Sequence, residues 1–208
     1  IKAEIFQKGA PMKNLVIFLV VLGVIGGIAL KYVNAFPVLD ETVKEKWAQV
    51  QNQYKRRADL IPNLVKTVQG YASHEESVFK EVTEARSKAS QMTIDVSSLD
   101  DPAKLKEFEN AQKTLGGALS RLMAITENYP QLKADQNFLS LQSQLEGTEN
   151  RIAVARKDYI AAVKDYNVAL RKIPGKFIAE MIYPELKPRV TFEASEAEQA
   201  VPDVSFAK

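Results

Sequence analysis

Cysteine is absent from the 208 residues, and histidine occurs once. Without cysteine there is no disulfide, no thiolate metal ligand and no cysteine nucleophile. A single histidine excludes any site that needs two imidazoles, including the two-histidine zinc motifs. Charge of one sign is lacking too. The 28 Lys and Arg face 26 Asp and Glu, and the formal +2 is far from the basicity of a dedicated nucleic-acid binder. The missing cysteines leave the redox compartment open. The length fits one domain or two and is ample for a buried core. Together these absences lean away from enzymology.

What the chain does have is an unbroken run of apolar residues and glycine over 15–30. At 1.5 Å per residue it covers roughly 24 Å, short of a hydrocarbon core of about 30 Å. Lys31 follows, but a lysine near a helix end snorkels while Tyr32, Val33, Ala35 and Phe36 lengthen the apolar stretch. The expectation is one transmembrane helix over 13–36, closed by Pro37. The rival is a cleaved signal peptide with Lys13 in its n-region. The run exceeds a usual h-region, however, and Ala29-Leu30-Lys31 is a poor cleavage site. A retained anchor is favoured. Within it Gly23 and Gly27 form a G-x-x-x-G pair, a candidate surface for self-association.

Met12-Lys13-Asn14 makes a natural start for a membrane protein, leaving 1–12 as a leader or expression remnant. Lys2, Lys8 and Lys13 precede the run, whereas Lys31, Lys44 and Lys46 follow it. That slight bias places the N-terminus inside and the body on the extracytoplasmic side.

Three periodic stretches follow. Phe138, Leu141, Leu145, Thr148, Ile152, Ala155, Tyr159, Ala162, Tyr166, Ala169 and Ile173 hold a 3-4 spacing that a strand cannot produce. Asp135 is its expected N-cap, and Pro174-Gly175 its stop. Asp101-Pro102 reads as N-cap and N1 of a helix carrying Leu105, Phe108, Leu115, Leu119, Leu122, Ile125 and Tyr129, ended by Pro130. Gly116-Gly117 inside it allows close helix approach or a bend.

The first stretch joins Val43, Trp47, Val50, Tyr54, Ile61, Leu64, Val68 and Tyr71 to Val78, Val82, Ala85 and Ala89. Its phase survives Pro62 and Gly70, so a kinked helix is expected, with a break near Ile61 as the alternative. Residues 91–101 form the loop to the next helix. Short loops between long helices imply antiparallel neighbours. The fold class is therefore all-α: one N-terminal transmembrane helix, then an up-down antiparallel bundle of three long helices over 37–175, the first one kinked. Residues 176–208 read as a short amphipathic helix and an extended tail, with Phe192, Val204 and Phe206 as anchors onto the bundle.

Several motifs invite chemistry. His74-Glu75-Glu76 begins like H-E-x-x-H, but Val78 stands where the second histidine belongs. Arg56-Arg57 with Asp59 offers a headgroup or phosphate site, yet two cations fall short of a polybasic cluster, so an ion-paired helix surface is favoured. Arg86, Arg121, Glu127, Glu146, Glu149 and Arg151 fit interhelical ion pairs better than a carboxylate metal centre, since no helix carries Glu-x-x-His. Gly147 among them suggests close backbone approach. Trp47, Tyr54, Tyr71, Tyr159 and Tyr166 lie on the apolar stripes as core fillers. Phe177, Ile178, Met181 and Ile182 either cap the open end of the bundle or enter a membrane interface or partner groove. No catalytic, cofactor or metal-ligating residue is assigned.

Longer motifs carry a family resemblance. Arg56-Arg57-Ala58-Asp59-Leu60-Ile61-Pro62-Asn63-Leu64-Val65, Gly70-Tyr71-Ala72-Ser73-His74-Glu75 and Ala85-Arg86 come first. Ala118-Leu119-Ser120-Arg121-Leu122, Glu127-Asn128-Tyr129-Pro130-Gln131-Leu132-Lys133-Ala134 and Leu145-Glu146-Gly147-Thr148-Glu149-Asn150-Arg151-Ile152 follow. In this order the chain resembles the LemA family from about residue 12 to 206. The resemblance implies a bacterial protein with a membrane anchor and a long-helix bundle, and it supplies no catalytic residues. The expected role is a non-enzymatic scaffold or adaptor in the inner membrane. Its partners would be the bilayer, itself as a homo-oligomer and other membrane proteins, with no nucleic acid and no small-molecule substrate. The alternative is an accessory subunit modulating a membrane protease or transport complex.

Overall fold

A computed structural model describes residues 10–192. All regular structure among them is helical: α1 (Ala10–Gln69), α2 (Glu76–Gln91), a 3-10 turn (Val96–Ser98), α3 (Pro102–Thr126), α4 (Pro130–Lys133), α5 (Gln136–Arg171) and α6 (Gly175–Ile182). Val204 and Phe206, expected as tail anchors, lie outside the described residues, as does the expected leader up to residue 9. The described chain forms two compact units, one of residues 10–42 and 164–188, the other of 43–163 and 189–192.

Two helix starts follow the local chemistry read from the sequence. The Asp101 side chain accepts from the amides of Ala103 at 2.9 Å and Lys104 at 3.3 Å, with Pro102 at the position where no amide hydrogen is missed. Asp135 accepts from the Phe138 amide at 2.9 Å and so caps α5. Pro130 opens α4 rather than ending α3, which stops at Thr126.

Two prolines lie deep inside α1. Pro37 was expected to close the first helix, yet α1 runs through it, and α1 also continues through Pro62 without the alternative break near Ile61. Proline lacks the amide hydrogen that bonds the carbonyl four residues back. The orphaned carbonyls are those of Val33 and Ala58, and each has found another donor. The Tyr183 hydroxyl donates to Val33 at 3.1 Å, and Arg86 Nε donates to Ala58 at 2.7 Å. Side chains from α2 and from the end of α6 thus replace the missing backbone bonds.

The first periodic stretch is not one kinked helix. It leaves helical geometry after Gln69, turns through 70–75, and resumes as α2. The Arg86–Ala58 bond brings α2 back beside α1. Tyr71, expected in the core, lies in this turn and is exposed, its hydroxyl donating to Asp135 at 2.9 Å. Periodicity survived because both helices bury their stripes in the same place. Ile61, Leu64 and Val68 of α1 pack in one core with Phe79, Val82 and Ala85 of α2, Leu115 and Leu122 of α3, and Phe138 and Leu145 of α5. Burying each large aliphatic side chain contributes about 1.5–3 kcal/mol.

Nearer residue 43 the same unit is aromatic. Trp47 is fully buried, its ring centroid 5.5 Å from Phe108, 5.2 Å from Tyr159 and 6.0 Å from Phe192. Phe192 does anchor the tail, and the Arg156 guanidinium sits 4.3 Å above its ring. Tyr159 donates to the Val190 carbonyl at 2.9 Å, and burial raises its pKa well above the ordinary phenol value. The expected close approaches at glycine are not found: a Cβ on Gly116 or Gly117 would meet nothing within 4 Å, and one on Gly147 would make only an ordinary contact with Arg151.

Candidate functional site

Two polar side chains join the four long elements of the second unit. Arg57, expected on a helix surface, is 4 % exposed. Its Nη1 donates to Glu149 of α5 at 3.2 Å, and its Nη2 to the Gln112 carbonyl at 3.1 Å and side-chain oxygen at 2.6 Å on α3. Gln112 in turn donates to the Ala89 carbonyl of α2 at 3.3 Å. Both terminal nitrogens of the buried guanidinium thus have acceptors while its Nε has none, and charge-assisted bonds of this kind contribute about 1.5–3 kcal/mol each. This node ties α1, α2, α3 and α5 together.

The remaining charges of the expected set disperse. Arg121 pairs with Glu81 at 2.6 Å, Arg156 with Glu109 at 3.1 Å, and Glu127 with Lys133 at 3.8 Å. Glu146 accepts from Gln142, and His74 is exposed in the 70–75 turn. Among the described residues no group of three or more His, Asp or Glu is placed to hold a metal ion. A cleft of about 430 Å³ lies between Asn63, Lys66 and Thr67 of α1 and Asn137, Ser140 and Gln144 of α5. It is shallow and polar, and its one charged group is Lys66.

The strongest departure from ordinary surface chemistry is apolar. From Met12 through Ile28 every large hydrophobic side chain of α1 is exposed, and burial begins in earnest at Phe36. α1 is a helix long and apolar enough to cross a membrane, and the qualifying window has no buried residues. Gly23 and Gly27 lie in this stretch, and a Cβ on either would meet nothing within 4 Å. They are open to any neighbour.

The four residues singled out in the C-terminal helix share a second exposed surface. Phe177 is 58 % exposed, Met181 81 % and Ile182 47 %, while Ile178 is half-buried. α6 lies in the same unit as the apolar run and buries its small face, Gly175 and Ala179. A Cβ on Gly175 would stand 2.4 Å from the Ala169 carbonyl and 3.1 Å from the Tyr32 ring, so only glycine fits there. At its other end Tyr183 reaches the freed Val33 carbonyl, and its ring meets Phe36 edge-on at 6.1 Å. Sequence spacing could not reveal this docking, which joins residues 150 positions apart.

The LemA family profile matches residues 46–206, which is most of the chain. The chain belongs to the LemA family. Among curated relatives of this LemA-family chain, magnetosome protein MamQ 2 of Paramagnetospirillum magneticum is 29 % identical over 175 residues, covering 76 % of the chain and 64 % of that protein. Magnetosome protein MamQ of Magnetospirillum gryphiswaldense is 29 % identical over 162 residues, covering 70 % and 60 %. Protein LemA of Metamycoplasma hominis is 26 % identical over 156 residues, covering 75 % and 66 %. The chain thus spans just under two thirds of the length of these relatives.

Proposed function

We propose that this LemA-family chain is a single-pass membrane protein that works as a non-enzymatic scaffold or adaptor, organising other membrane proteins. One observation carries the reading: the apolar run of α1 is exposed along its length and beyond the reach of any core, while the polar groups of the body are spent on packing. An exposed apolar surface of that length is stable in lipid and not in water. The body, in this reading an up-down antiparallel bundle, then projects from the bacterial inner membrane on the extracytoplasmic side, as the lysine distribution favours.

Self-association is the simplest way for such a chain to organise an assembly, and Gly23 with Gly27 offers the close-approach face for it. The test is crosslinking in native membranes followed by mass spectrometry. The scaffold reading expects recurrent crosslinks to copies of the chain and to defined membrane proteins, with self-crosslinks weakened by Gly23→Ile and Gly27→Ile. A monomer without recurrent neighbours would sink it.

A further inference from the structure

The geometry points to α6 as a second membrane contact, an interfacial helix lying in the headgroup region of the bilayer that α1 crosses. This inference rests on the proposed anchoring by α1 and adds where the chain meets the lipid a second time.

The level of α6 follows from helix arithmetic. A hydrocarbon core of about 30 Å is crossed by about 20 residues at 1.5 Å each. The exposed apolar run begins at Met12, so it leaves the core at about residue 32. α6 is fastened at that level. Gly175, at its start, packs on Tyr32, and Tyr183, just past its end, bonds Val33 and meets Phe36. Eight residues span about 12 Å, whereas positions 32–36 rise only about 6 Å along α1. Both ends of α6 therefore address one short stretch of α1, residues 32–36. That stretch is where α1 leaves the hydrocarbon core, so α6 sits at the level of the interface.

Its side chains suit that level. Phe177, Met181 and Ile182 are the exposed apolar face, and Phe and Met are large enough to reach the acyl boundary. Arg171, Lys172 and Lys176 are exposed immediately before and within the start of α6, a cationic flank for anionic headgroups. Glu180, which faces Lys176 at 4.0 Å, and exposed Glu185 temper that charge, so apolar insertion supplies most of the attachment. The interface also explains the proline. Pro37 frees a carbonyl at the one level where a tyrosine from α6 is to be held, and a phenol is at home beside headgroups. A soluble partner would need to approach within one helix diameter of the bilayer to cover the same face.

The absence of native cysteine makes the test direct, because one introduced thiol is the only one. The full chain carrying Met181→Cys, labelled with an environment-sensitive fluorophore, is reconstituted into vesicles of phosphatidylethanolamine and phosphatidylglycerol. The expected result is a blue-shifted probe, protected from aqueous iodide and quenched more by a nitroxide near the lipid headgroup than by one at the chain end. Introducing Tyr183→Phe, which unfastens α6 without removing an apolar residue, reduces that quenching. A probe open to iodide and untouched by either lipid nitroxide overturns the proposal. So does a probe that is shielded but not lipid-quenched, which would mark a protein partner. Leu22→Cys labelled in the same way separates the two readings. If it is quenched by the chain-end nitroxide while position 181 is quenched by neither nitroxide, only the interfacial helix fails. If neither is quenched, the anchor itself fails and the inference with it.

Discussion

Replacing Arg86 tests how α1 passes through Pro62. Arg86 Nε supplies the donor that Pro62 cannot, at 2.7 Å from the Ala58 carbonyl. A charge-assisted bond to a carbonyl contributes about 1.5–3 kcal/mol net, and Arg86 is half-buried, so the lower half of that range applies. Arg86→Met keeps most of the aliphatic stem and should cost about 2 kcal/mol. Pro62→Ala restores the backbone amide, and an interior proline carries a penalty of about 3 kcal/mol, so this variant should be more stable than the parent. In the Pro62→Ala background the Ala58 carbonyl keeps a partner when Arg86 is removed. The cost of Arg86→Met should then fall to about 1 kcal/mol or less, a coupling of about 1 kcal/mol between residues 24 apart in sequence. Urea unfolding of the full chain in mild detergent, followed by far-ultraviolet circular dichroism, measures all four corners of the cycle. Equal penalties for Arg86→Met in both backgrounds would refute the reasoning, because the arginine would then be doing something other than capping the freed carbonyl.

Other perturbations address other parts of the account. Arg57→Met leaves Gln112 without its donor and should destabilise the chain by about 2–4 kcal/mol, whereas Glu149→Gln should cost less because that carboxylate is about half exposed; the same unfolding assay compares them. Phe192→Ala opens the aromatic cluster at a cost of about 3 kcal/mol and should red-shift the emission of Trp47, the only tryptophan. The Asp135 carboxyl is held below its ordinary value, first by the Phe138 amide and then by the Tyr71 hydroxyl. A depressed carboxyl contributes stability that is present above the unfolded-state value of about 4 and lost as pH falls through the folded one. Unfolding midpoints of Asp135→Asn should therefore vary less with pH below about 4 than those of the parent. Gly175→Ala should dislodge α6, which faster tryptic cleavage at Lys176 in proteoliposomes would report.

How much of this was legible in the sequence depends on whether one side chain or two decide the outcome. The α3 and α5 caps rest on Asp101 and Asp135 acting on their own next amides, and they were readable. The apolar stripes were readable for the same local reason. The buried node was present in the pattern and missed. Positions 47, 50, 54, 57, 61, 64 and 68 keep the 3-4 spacing, as do 105, 108, 112, 115, 119 and 122, so Arg57 and Gln112 are the polar interruptions of two apolar stripes. Thr148, the interruption of the third, is fully buried beside Glu149 and closes its hydroxyl onto the Gln144 carbonyl at 2.7 Å. Polar residues in register with a core were the available signal.

Pro37 was misread because helix breaking depends on whether the freed carbonyl finds a donor, and its donor, Tyr183, lies far off in sequence. The turn at 70–75 was misread because two neighbouring helices that bury stripes in one core can preserve a common phase by coincidence. Tyr71 followed that error. The four residues of α6 were singled out as an apolar group that either packs on the bundle end or meets a membrane or partner; the exposure of Phe177, Met181 and Ile182, and the place of α6 beside Tyr32, Val33 and Phe36, required the fold.

The central claim is that the apolar half of α1 lives in lipid. A nitroxide scan of single cysteines through residues 14–40 in reconstituted vesicles tests it most directly, by comparing collisions with oxygen and with a water-soluble nickel complex. The account predicts high oxygen and low nickel accessibility from residue 15 to 30, with a crossover between 31 and 37. Nickel accessibility that stays high across the whole run would contradict it.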